Sequence, residues 1–505
     1  MRSSLAIVTP LLVALLGGCA TEEPGIAPAR DGFYFPVALA LDPVRPLLYV
    51  ANANADLMYN GGTLNVLDVW KLPDDLRDIG SCLAAQPAAS CPARLDCGPA
   101  RTDPTSWECP EDQLIQASAT LRAGDFPSML GVTADGTRLF APIRGQDYLM
   151  WADIVALTGT GKHAVDLRCN DDRETGCGGV GSAKDCAAWD CDAEHRVGYS
   201  EDLRESMPGE PFGLLVNELV ATHVGVDGAR RTCKDGLAPA VPCDCQGAAL
   251  CQGEQDVDCC EEPPATESTH VYLAHLSGGE VSFLTSGPSG VTLRDIRGGF
   301  FQADSTTGIR GGFALAARSP GDPRGRVYVS SRVASEVAAF VIRDNRYIVD
   351  ESRVSMGTLF PGDDSRGIAF GPGGNRMYVV SRQPPSLVAF DMSQEDGLPR
   401  AEPLWVEEVC SEPSLLRLLP ERSLAYVVCF GTEQIFVVDT DSGNVVDQIT
   451  TGKGPNDLVL DLPRQRAYVA NFLENTVGVI DLNPSHETYH RMLVRIGLLK
   501  KLAKD

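Results

Sequence analysis

The sequence predicts an all-β protein, a seven-bladed β-propeller with disulfide-rich loop insertions. Three observations lead to this prediction: a phrase of short β-branched segments that recurs seven times, a composition rich in turn-forming residues, and cysteines that occur in even-numbered clusters. The 50 glycines and 34 prolines favour many short strands joined by tight turns. Because 44% of the 505 residues are hydrophobic, the chain can bury a large core, which excludes global disorder.

The charge balance excludes one class of partner. The 68 acidic residues outnumber the 43 Lys and Arg residues, so the net charge is −25. A surface this acidic repels phosphate backbones, and we therefore expect no nucleic-acid partner. The mean hydropathy is −0.07. Only one apolar stretch, at the N-terminus, approaches the length of a membrane span, which excludes a polytopic membrane protein.

Residues 1–18 are predicted to be a lipoprotein signal peptide. Arg2 provides a basic start, and an apolar run extends from Leu5 to Leu16. The string Leu16-Gly17-Gly18-Cys19 resembles a bacterial lipobox, in which the cysteine is lipidated and becomes the mature N-terminus. The alternative is an ordinary signal peptide that is cut near Ala20, with Cys19 incidental.

Residues 19–32 are predicted to be a lipidated tether, because they are rich in Ala and Pro and have no apolar period. Two or more acyl chains, palmitate among them, would hold the protein stably on a membrane. The residue after Cys19 is Ala20 and not Asp, which by resemblance to bacterial lipoproteins implies outer-membrane sorting. The expected location is therefore the bacterial cell envelope, on either the periplasmic or the outer surface.

The repeat has three parts: a turn that leads into a strand, a second strand centred on an aromatic residue, and a third strand. It is clearest at 454–481 and recurs upstream to Pro36. Tyr328, Tyr378, Tyr426 and Tyr468 are separated by 50, 48 and 42 residues. A period of this length with three or four short strands is typical of a propeller blade, whereas helical repeats would show a 3.6-residue periodicity. Each blade buries one face only when its neighbours cover it, so seven copies predict a closed seven-bladed ring.

The string Tyr-Val-Ala-Asn stands at 49–52 and again at 468–471. It resembles the YVTN-type propeller family of bacterial envelope and surface-layer proteins, and the resemblance covers residues 33–485. The propeller domain is predicted at 33–505, and the resemblance implies little about function because the matching residues are mostly core positions.

Sixteen cysteines remain beside Cys19, and all of them are predicted to form disulfides because an exported chain meets an oxidising compartment. They are Cys82, Cys91, Cys97 and Cys109; Cys169, Cys177, Cys186 and Cys191; Cys233, Cys243, Cys245, Cys251, Cys259 and Cys260; Cys410 and Cys429. Each group of four can pair in three ways and the group of six in fifteen. Thiolate metal binding is the alternative for the group of six, although it lacks the CxxC spacing with nearby His that is typical of zinc.

The first three cysteine groups lie in insertions at about 71–112, 169–207 and 228–268. Loops held by disulfides on a rigid ring are natural recognition surfaces, since they lose less entropy on binding. The equal alternative is that they only stabilise the fold.

A candidate ligand site lies at one mouth of the ring. Arg144, Arg332 and Arg382 follow the second strand of three different blades, and Arg366 and Asn456 occupy one equivalent position on the same face. His275 also stands at the predicted mouth, as a ligand or a base. Guanidinium groups bind carboxylate or phosphate bidentately, so the mouth would suit a small anion. The alternative is that each Arg pairs with a local carboxylate such as Asp364.

No GxSxG, P-loop or HExxH motif is present, and we expect no metal and no cofactor. The segment Asn170–Glu174 leaves calcium open, whereas Asp439–Asn444 is predicted to be a hairpin turn between strands. The sequence therefore favours a membrane-anchored binding or scaffold module over an enzyme. Its expected partners are the membrane through Cys19 and a protein or a small anionic or carbohydrate ligand. The alternative is a hydrolase of lactonase type with an Arg-lined mouth.

Overall fold

A computed structural model gives the architecture as seven antiparallel four-stranded blades that follow one another along the chain. The structure describes residues 26–83, 91–101, 103–158, 162–170, 189–198, 207–218, 222–224, 230–232, 259–261, 269–301, 311–322, 325–334, 336–355, 363–393 and 403–497. Each blade has four strands, a to d, from the ring axis outwards. The predicted seven-bladed propeller is confirmed.

The strands of blades 1 to 4 follow in chain order. Blade 1 contains Pro36–Leu41, Leu47–Asn52, Thr63–Asp68 and Leu121–Arg122. Blade 2 contains Gly131–Val132, Arg138–Ile143, Tyr148–Ala156 and Val165–Arg168, with Arg196–Val197 paired to its strand c. Blade 3 contains Pro211–Glu218, Thr269–His275, Val281–Gly287 and Gly290–Arg297. Blade 4 contains Gly312–Ala317, Val327–Ser331, Glu336–Arg343 and Tyr347–Ser355.

Blades 5 to 7 are the most regular. Blade 5 contains Asp363–Phe370, Arg376–Gln383, Pro385–Asp391 and Pro403–Glu408. Blade 6 contains Pro413–Leu419, Leu424–Cys429, Gln434–Asp439 and Val445–Thr450. Blade 7 contains Pro455–Asp461, Arg466–Asn471, Thr476–Asp481 and Met492–Ile496. Short 3₁₀ helices occupy connecting segments at Val69–Lys71, Leu76–Leu83, Glu111–Gln113, Ala117–Ala119, Pro372–Gly374, Pro420–Arg422 and Leu462–Arg464.

The core consists of seven hydrophobic clusters, one between each pair of neighbouring blades. Side chains alternate across a strand, so strand b sends its residues in turn to the blade before and the blade after. One aromatic residue of strand b packs towards the following blade in every case. These buried residues are Tyr49, Phe140, Tyr272, Tyr328, Tyr378, Tyr426 and Tyr468. The aromatic period of the sequence therefore marks the packing between blades.

The blade 1 insertion fastens the ring. It leaves after strand c, and its segment Trp107–Cys109, here called the clasp strand, pairs in parallel with Met492–Ile496 at the outer edge of blade 7. Gly98–Pro99 adds one more strand, so this sheet has six. Disulfides Cys82–Cys91 and Cys97–Cys109 select one of the three pairings that the sequence allowed. This insertion therefore stabilises the fold and joins the first blade to the last.

The other insertions lie in two different connections. The second joins strand d of blade 2 to blade 3 and contains the disulfide Cys169–Cys191. The third joins strands a and b of blade 3 and contains a small sheet of Thr222–Val224, Arg230–Thr232 and Cys259–Glu261. The fourth described disulfide, Cys410–Cys429, links the end of blade 5 to strand b of blade 6.

Several sequence predictions concern residues outside the described ones. They are the signal peptide, Cys19, the thiols of Cys177, Cys186, Cys233, Cys243, Cys245 and Cys251, and the side chains of Cys259 and Cys260. Within the part of the chain that the structure describes, no helix has the length and apolar character needed to cross a bilayer.

The clasp predicts where the ring opens first. We expect Cys97→Ser/Cys109→Ser to lower the melting temperature, since a disulfide closing a loop of this size contributes about 2–4 kcal/mol. The loss should appear as faster hydrogen exchange at Met492–Ile496, which pairs with the clasp strand. The control is Cys410→Ser/Cys429→Ser, which removes a disulfide between blades 5 and 6. Equal exchange at Met492–Ile496 in both variants would contradict a closing role for the clasp.

Candidate ligand-binding mouth

A cavity of about 340 Å³ lies at one end of the ring axis, on the face that carries the b–c and d–a connections. This face is called the mouth face below. The described residues on the cavity wall are Val37, Ser128, Met129, Arg144, Phe212, Phe313, Arg366, Arg382, Glu412, Ser414, Leu415, Arg417, Phe430, Asn456, Asp457 and Phe472. All seven blades contribute to this wall.

One equivalent position of the repeat, near the start of strand a, supplies a wall residue in each of the seven blades. They are Val37, Ser128, Phe212, Phe313, Arg366, Ser414 and Asn456. In six blades the pairing of strands a and b shifts register here. Such a bulge re-aims a side chain. This explains why the residue faces the axis when its neighbours face other blades.

A left-handed residue precedes each of these starts. At these positions the residues with positive φ are Phe35, Phe126, Glu210, Gly311, Asp364, Glu412 and Gly454. Five of them are neither Gly nor Asn, and such residues rarely adopt this conformation away from functional or tightly constrained sites. The recurrence shows that the ring imposes the geometry on every blade.

The residue after strand b is held against that left-handed residue. The Arg144 N–H donates to the Phe126 carbonyl at 3.2 Å, and the Phe430 N–H donates to the Glu412 carbonyl at 3.1 Å. The same bond recurs in blades 1, 3, 4 and 7. A backbone bond therefore positions each side chain at this point beside the bulged residue of its own blade.

Blades 2 to 5 form a basic arc of the mouth. Arg144 Nη2 lies 3.1 Å from Glu210 Oε1, and Arg366 Nη2 donates to Asp364 Oδ2 at 2.8 Å. The two guanidinium groups lie over aromatic rings, Arg144 at 5.6 Å from the centre of Phe212. The guanidinium of Arg366 is 4.6 Å from the ring centre of Phe313. Each arginine is thus held flat against the wall.

Arg382 is the arginine of this arc with the fewest partners. Its Nε donates to the Pro413 carbonyl at 3.3 Å. Among the described residues, no carboxylate oxygen lies within 4 Å of its guanidinium. Burial, and then the nearby charge of Arg366, lower the pKa of Arg382. An anion in the cavity would relieve both unfavourable effects.

Blades 6, 7 and 1 form an aromatic arc opposite. The ring centres of Phe430 and Phe472 are 6.2 Å apart, and those of Phe472 and Phe35 are 5.2 Å apart. The wall therefore combines guanidinium groups, two of which lie over Phe212 and Phe313, with the phenyl rings of Phe430 and Phe472. This arrangement suits a ligand with an anionic group and an apolar or aromatic part.

Asp457 is the buried carboxyl of the wall. Its Oδ2 accepts from the Leu39 N–H at 2.8 Å, and its Oδ1 lies 3.0 Å from Arg417 Nη2. Burial raises its pKa, although Arg417 and the backbone N–H groups oppose that shift. Because Leu39 belongs to blade 1, this carboxyl bonds the last blade to the first.

The structure brings together four of the six residues that the sequence selected. Arg144, Arg366, Arg382 and Asn456 line the cavity. Arg332 is not among the residues that line the cavity, and burial lowers its pKa, with the charge of Arg366 adding to that effect. The sequence left open the alternative that each Arg pairs with a local carboxylate. Two of the arginines in the cavity do so: Arg144 pairs with Glu210, and Arg366 pairs with Asp364.

His275 does not face the mouth, in contrast to the expectation from sequence. It is fully buried inside blade 3, where its Nε2 lies 2.8 Å from Ser282 Oγ on the neighbouring strand. Burial lowers its pKa to about 4, and the carbonyls of Pro208 and Gly209 oppose that shift only in part. Strand b carries the His275 side chain between two strands, so it can serve neither as a ligand nor as a base in the cavity.

Sequence reasoning missed the aromatic half of the site. Phe212, Phe313, Phe430 and Phe472 line the cavity, but hydrophobic residues in a repeat are read as core. The usable signal was position: the residue after Pro211 is the counterpart of Arg366 and Asn456 in its own blade.

The described residues contain no group of three or more His, Cys, Asp or Glu side chains arranged to hold a metal ion. The predicted hairpin turn at Asp439–Asn444 is confirmed, with Asp439 Oδ1 accepting from the Ser442 N–H at 2.7 Å. Most of the calcium candidate Asn170–Glu174 lies outside the described residues.

Comparisons with known proteins were made for sequence and for structure. No protein-family model matches the chain, and no curated protein matches it in sequence. The resemblance to the YVTN-type family therefore stays a prediction. Solved structures do match over most of their length. Hydrazine synthase from Kuenenia stuttgartiensis is 12% identical, with a TM-score of 0.47 over 89% of this chain and 97% of that one.

Two further structural matches are similar in degree. A protein from Lactobacillus plantarum is 14% identical, with a TM-score of 0.48 over 87% of this chain and 95% of that one. The periplasmic gluconolactonase of Pseudomonas aeruginosa is 12% identical, with a TM-score of 0.45 over 74% and 86%. At these values the matches give the chain neither a family nor an activity.

The burial of His275 predicts how stability depends on pH. Its pKa is about 4 in the folded protein and near 6.5 when unfolded, so the unfolded chain binds the proton first as the pH falls. Stability is therefore complete above pH 6.5 and declines by up to roughly 3 kcal/mol towards pH 4. His270, with a pKa of about 4, acts in the same direction.

We expect His275→Gln to flatten the decline of melting temperature between pH 6.5 and 4, as measured by scanning calorimetry. His270→Gln is a second test of the same effect and should flatten the curve by a similar amount. A variant curve parallel to that of the natural protein would show that His275 is not held neutral.

Proposed function

We propose that this protein is a lipid-anchored propeller of the bacterial envelope that binds a small ligand with an anionic group and an apolar or aromatic part at its mouth. The observation that supports this most directly is the composition of the cavity wall. Arg144, Arg366, Arg382 and Arg417 line the same cavity of about 340 Å³ as Phe212, Phe313, Phe430 and Phe472. Cavities near this size are typical of small-molecule sites.

The charge of the protein makes this wall selective. The chain has a net charge of −25, yet four arginines share one cavity with the carboxyls of Glu412 and Asp457. In a partly desolvated site, hydrogen bonds from guanidinium to an anion are stronger than those between neutral groups. The aromatic arc adds apolar burial for the rest of the ligand. An anion without an apolar part would gain only half of these contacts.

Anchoring is proposed from the sequence of residues 16–19, which resembles a lipobox, and the Ala that follows implies the outer membrane. Acylation of Cys19 would place the propeller at a membrane surface. Mass spectrometry of the N-terminal peptide tests this directly. An unmodified N-terminus at another residue would reject the anchor and leave the mouth proposal standing.

The mouth is tested by calorimetric titration with phenyl phosphate as the probe. We expect measurable binding to the natural protein and a loss of about 100-fold or more in Arg144→Gln/Arg366→Gln/Arg382→Gln, since each charge-assisted bond contributes about 1.5–3 kcal/mol. Inorganic phosphate and phenol, which each carry half of the probe, should both bind more weakly.

The matched control is Arg326→Gln/Arg353→Gln/Arg376→Gln. It removes the same charge from outer ion pairs with Glu351, Asp350 and Asp441, away from the mouth. Equal weakening in both triple variants would mean that only the total charge matters, and would reject a mouth site.

A hydrolase of lactonase type is the second candidate, and Asp457 is the observation that favours it. Its carboxyl has a raised pKa on the same wall as four arginines, as a general acid or base would. Against this, both of its oxygens are already occupied: Oδ2 accepts from Leu39 of blade 1, and Oδ1 accepts from Arg417 of blade 6 and from the Leu458 N–H.

Turnover separates the two candidates. If the protein only binds its ligand, we expect gluconolactone to hydrolyse at the uncatalysed rate. This rate should be the same with the natural protein, with Asp457→Asn and with Glu412→Gln. Turnover that Asp457→Asn abolishes, while phenyl phosphate still binds, would establish the enzyme instead.

A further inference from the structure

Large apolar side chains are exposed at nine described positions, and their distribution is uneven. Four lie on strand d at the outside of blades 3 to 6, and Val44 lies on the face opposite the mouth. The remaining four are on the mouth face beside blades 7 and 1. These four, called the apolar rim below, are Ile26 (64% exposed), Leu57 (60%), Met58 (57%) and Leu473 (53%).

The N-terminal segment bonds both turns that carry the rim. The Ile26 carbonyl accepts from the Asn60 N–H at 2.9 Å, next to the b–c turn of blade 1 that carries Leu57 and Met58. Further along the segment, the Phe35 N–H donates to Asn475 Oδ1 in the b–c turn of blade 7, which also carries Leu473. The segment thus lies between the two turns.

The position of Ile26 indicates what covers the rim. Cys19 precedes Ile26 by seven residues, and an extended chain spans at most about 3.6 Å per residue, so the two are no more than roughly 25 Å apart. An acyl chain on Cys19 would therefore keep the rim close to the bilayer that holds it.

We propose that the mouth face of the propeller rests on the lipid bilayer, with Ile26, Leu57, Met58 and Leu473 inserted among the headgroups. This inference rests on the proposed acylation of Cys19. Attraction between charges does not drive the contact, because a chain with a net charge of −25 is repelled by anionic lipid. Apolar insertion into uncharged lipid does, and Asp56, exposed beside Leu57, stays at the level of the headgroups.

This orientation has a consequence for the ligand site. The cavity opens on the same face, so its arginines and phenylalanines would face the membrane surface. A ligand would then reach the mouth from the layer of water and headgroups next to the bilayer.

Tryptophan fluorescence tests the orientation on the full, acylated protein in phosphatidylcholine vesicles whose acyl chains carry bromine. Leu57→Trp and Leu473→Trp place reporters in the rim, and Val44→Trp, 65% exposed on the opposite face of blade 1, is the matched control. Side chains buried about 5–10 Å into the headgroup boundary lie within reach of bromine. We expect the emission added at positions 57 and 473 to fall about twofold and that at position 44 to stay unchanged.

Quenching at position 44 equal to that at 57 and 473, or no quenching at any of them, would overturn the proposal. The tryptophan at position 57 could instead be shielded from solvent equally with and without vesicles, and the protein could have twice the monomer mass in detergent. These two results together would assign the rim to a second copy of the chain. The N-terminal peptide mass and phenyl phosphate titration are measured on the same preparation. An unacylated Cys19 rejects the anchor and this inference together, whereas an acylated, ligand-binding protein with an unquenched rim rejects this inference alone.

Discussion

The contact between blades 7 and 1 holds the ring closed, and it joins residues more than 400 positions apart. Asp457 accepts from the Leu39 N–H at 2.8 Å, and Asn456 Nδ2 donates to the Val37 carbonyl at 2.7 Å. The other six interfaces join consecutive blades and form with little loop closure. This one requires the two ends of the propeller to meet, which costs more chain entropy than any other interface. The clasp strand and its disulfide act at the same interface, from the outer edge of the sheet.

The geometry that builds the ring also builds the cavity at its mouth. Every blade begins with a left-handed residue. A bulge follows it in all blades but the second, and a backbone bond from the residue after strand b holds it in all blades but the fifth. The backbone is therefore similar from blade to blade, while the side chains at the equivalent position range from Val37 to Arg366. A rigid scaffold that carries variable residues at one end is a common arrangement for binding sites, because the backbone need not move when the ligand arrives.

The mouth differs from the rest of this acidic protein in its charge, because four arginines line its cavity. An acidic protein repels anions at long range, so the anion that we propose as ligand would bind only where arginines are gathered and partly desolvated. Arg382 shows the effect most clearly, because its pKa is lowered by burial and by the charge of Arg366. Stacking on Phe212 and Phe313 holds Arg144 and Arg366 in place before any ligand binds. The site is therefore organised in advance by cation–π contacts and local ion pairs.

The sequence by itself determined the architecture, because the aromatic residue of strand b packs against the next blade and so recurs with the period of the blade. It also placed Arg366 and Asn456 at one equivalent position, since a repeat lets positions be compared within a single chain. Only the tertiary structure decided that Phe212 and Phe313 face the cavity, because a bulge turns a residue that alternation would assign to the core. The same holds for His275 at the end of strand b of blade 3. Its side chain is buried and bonds Ser282 on strand c instead of facing the cavity. Alternation along a strand is a local property that sequence reveals, whereas the direction of the ring axis exists only once all seven blades have closed.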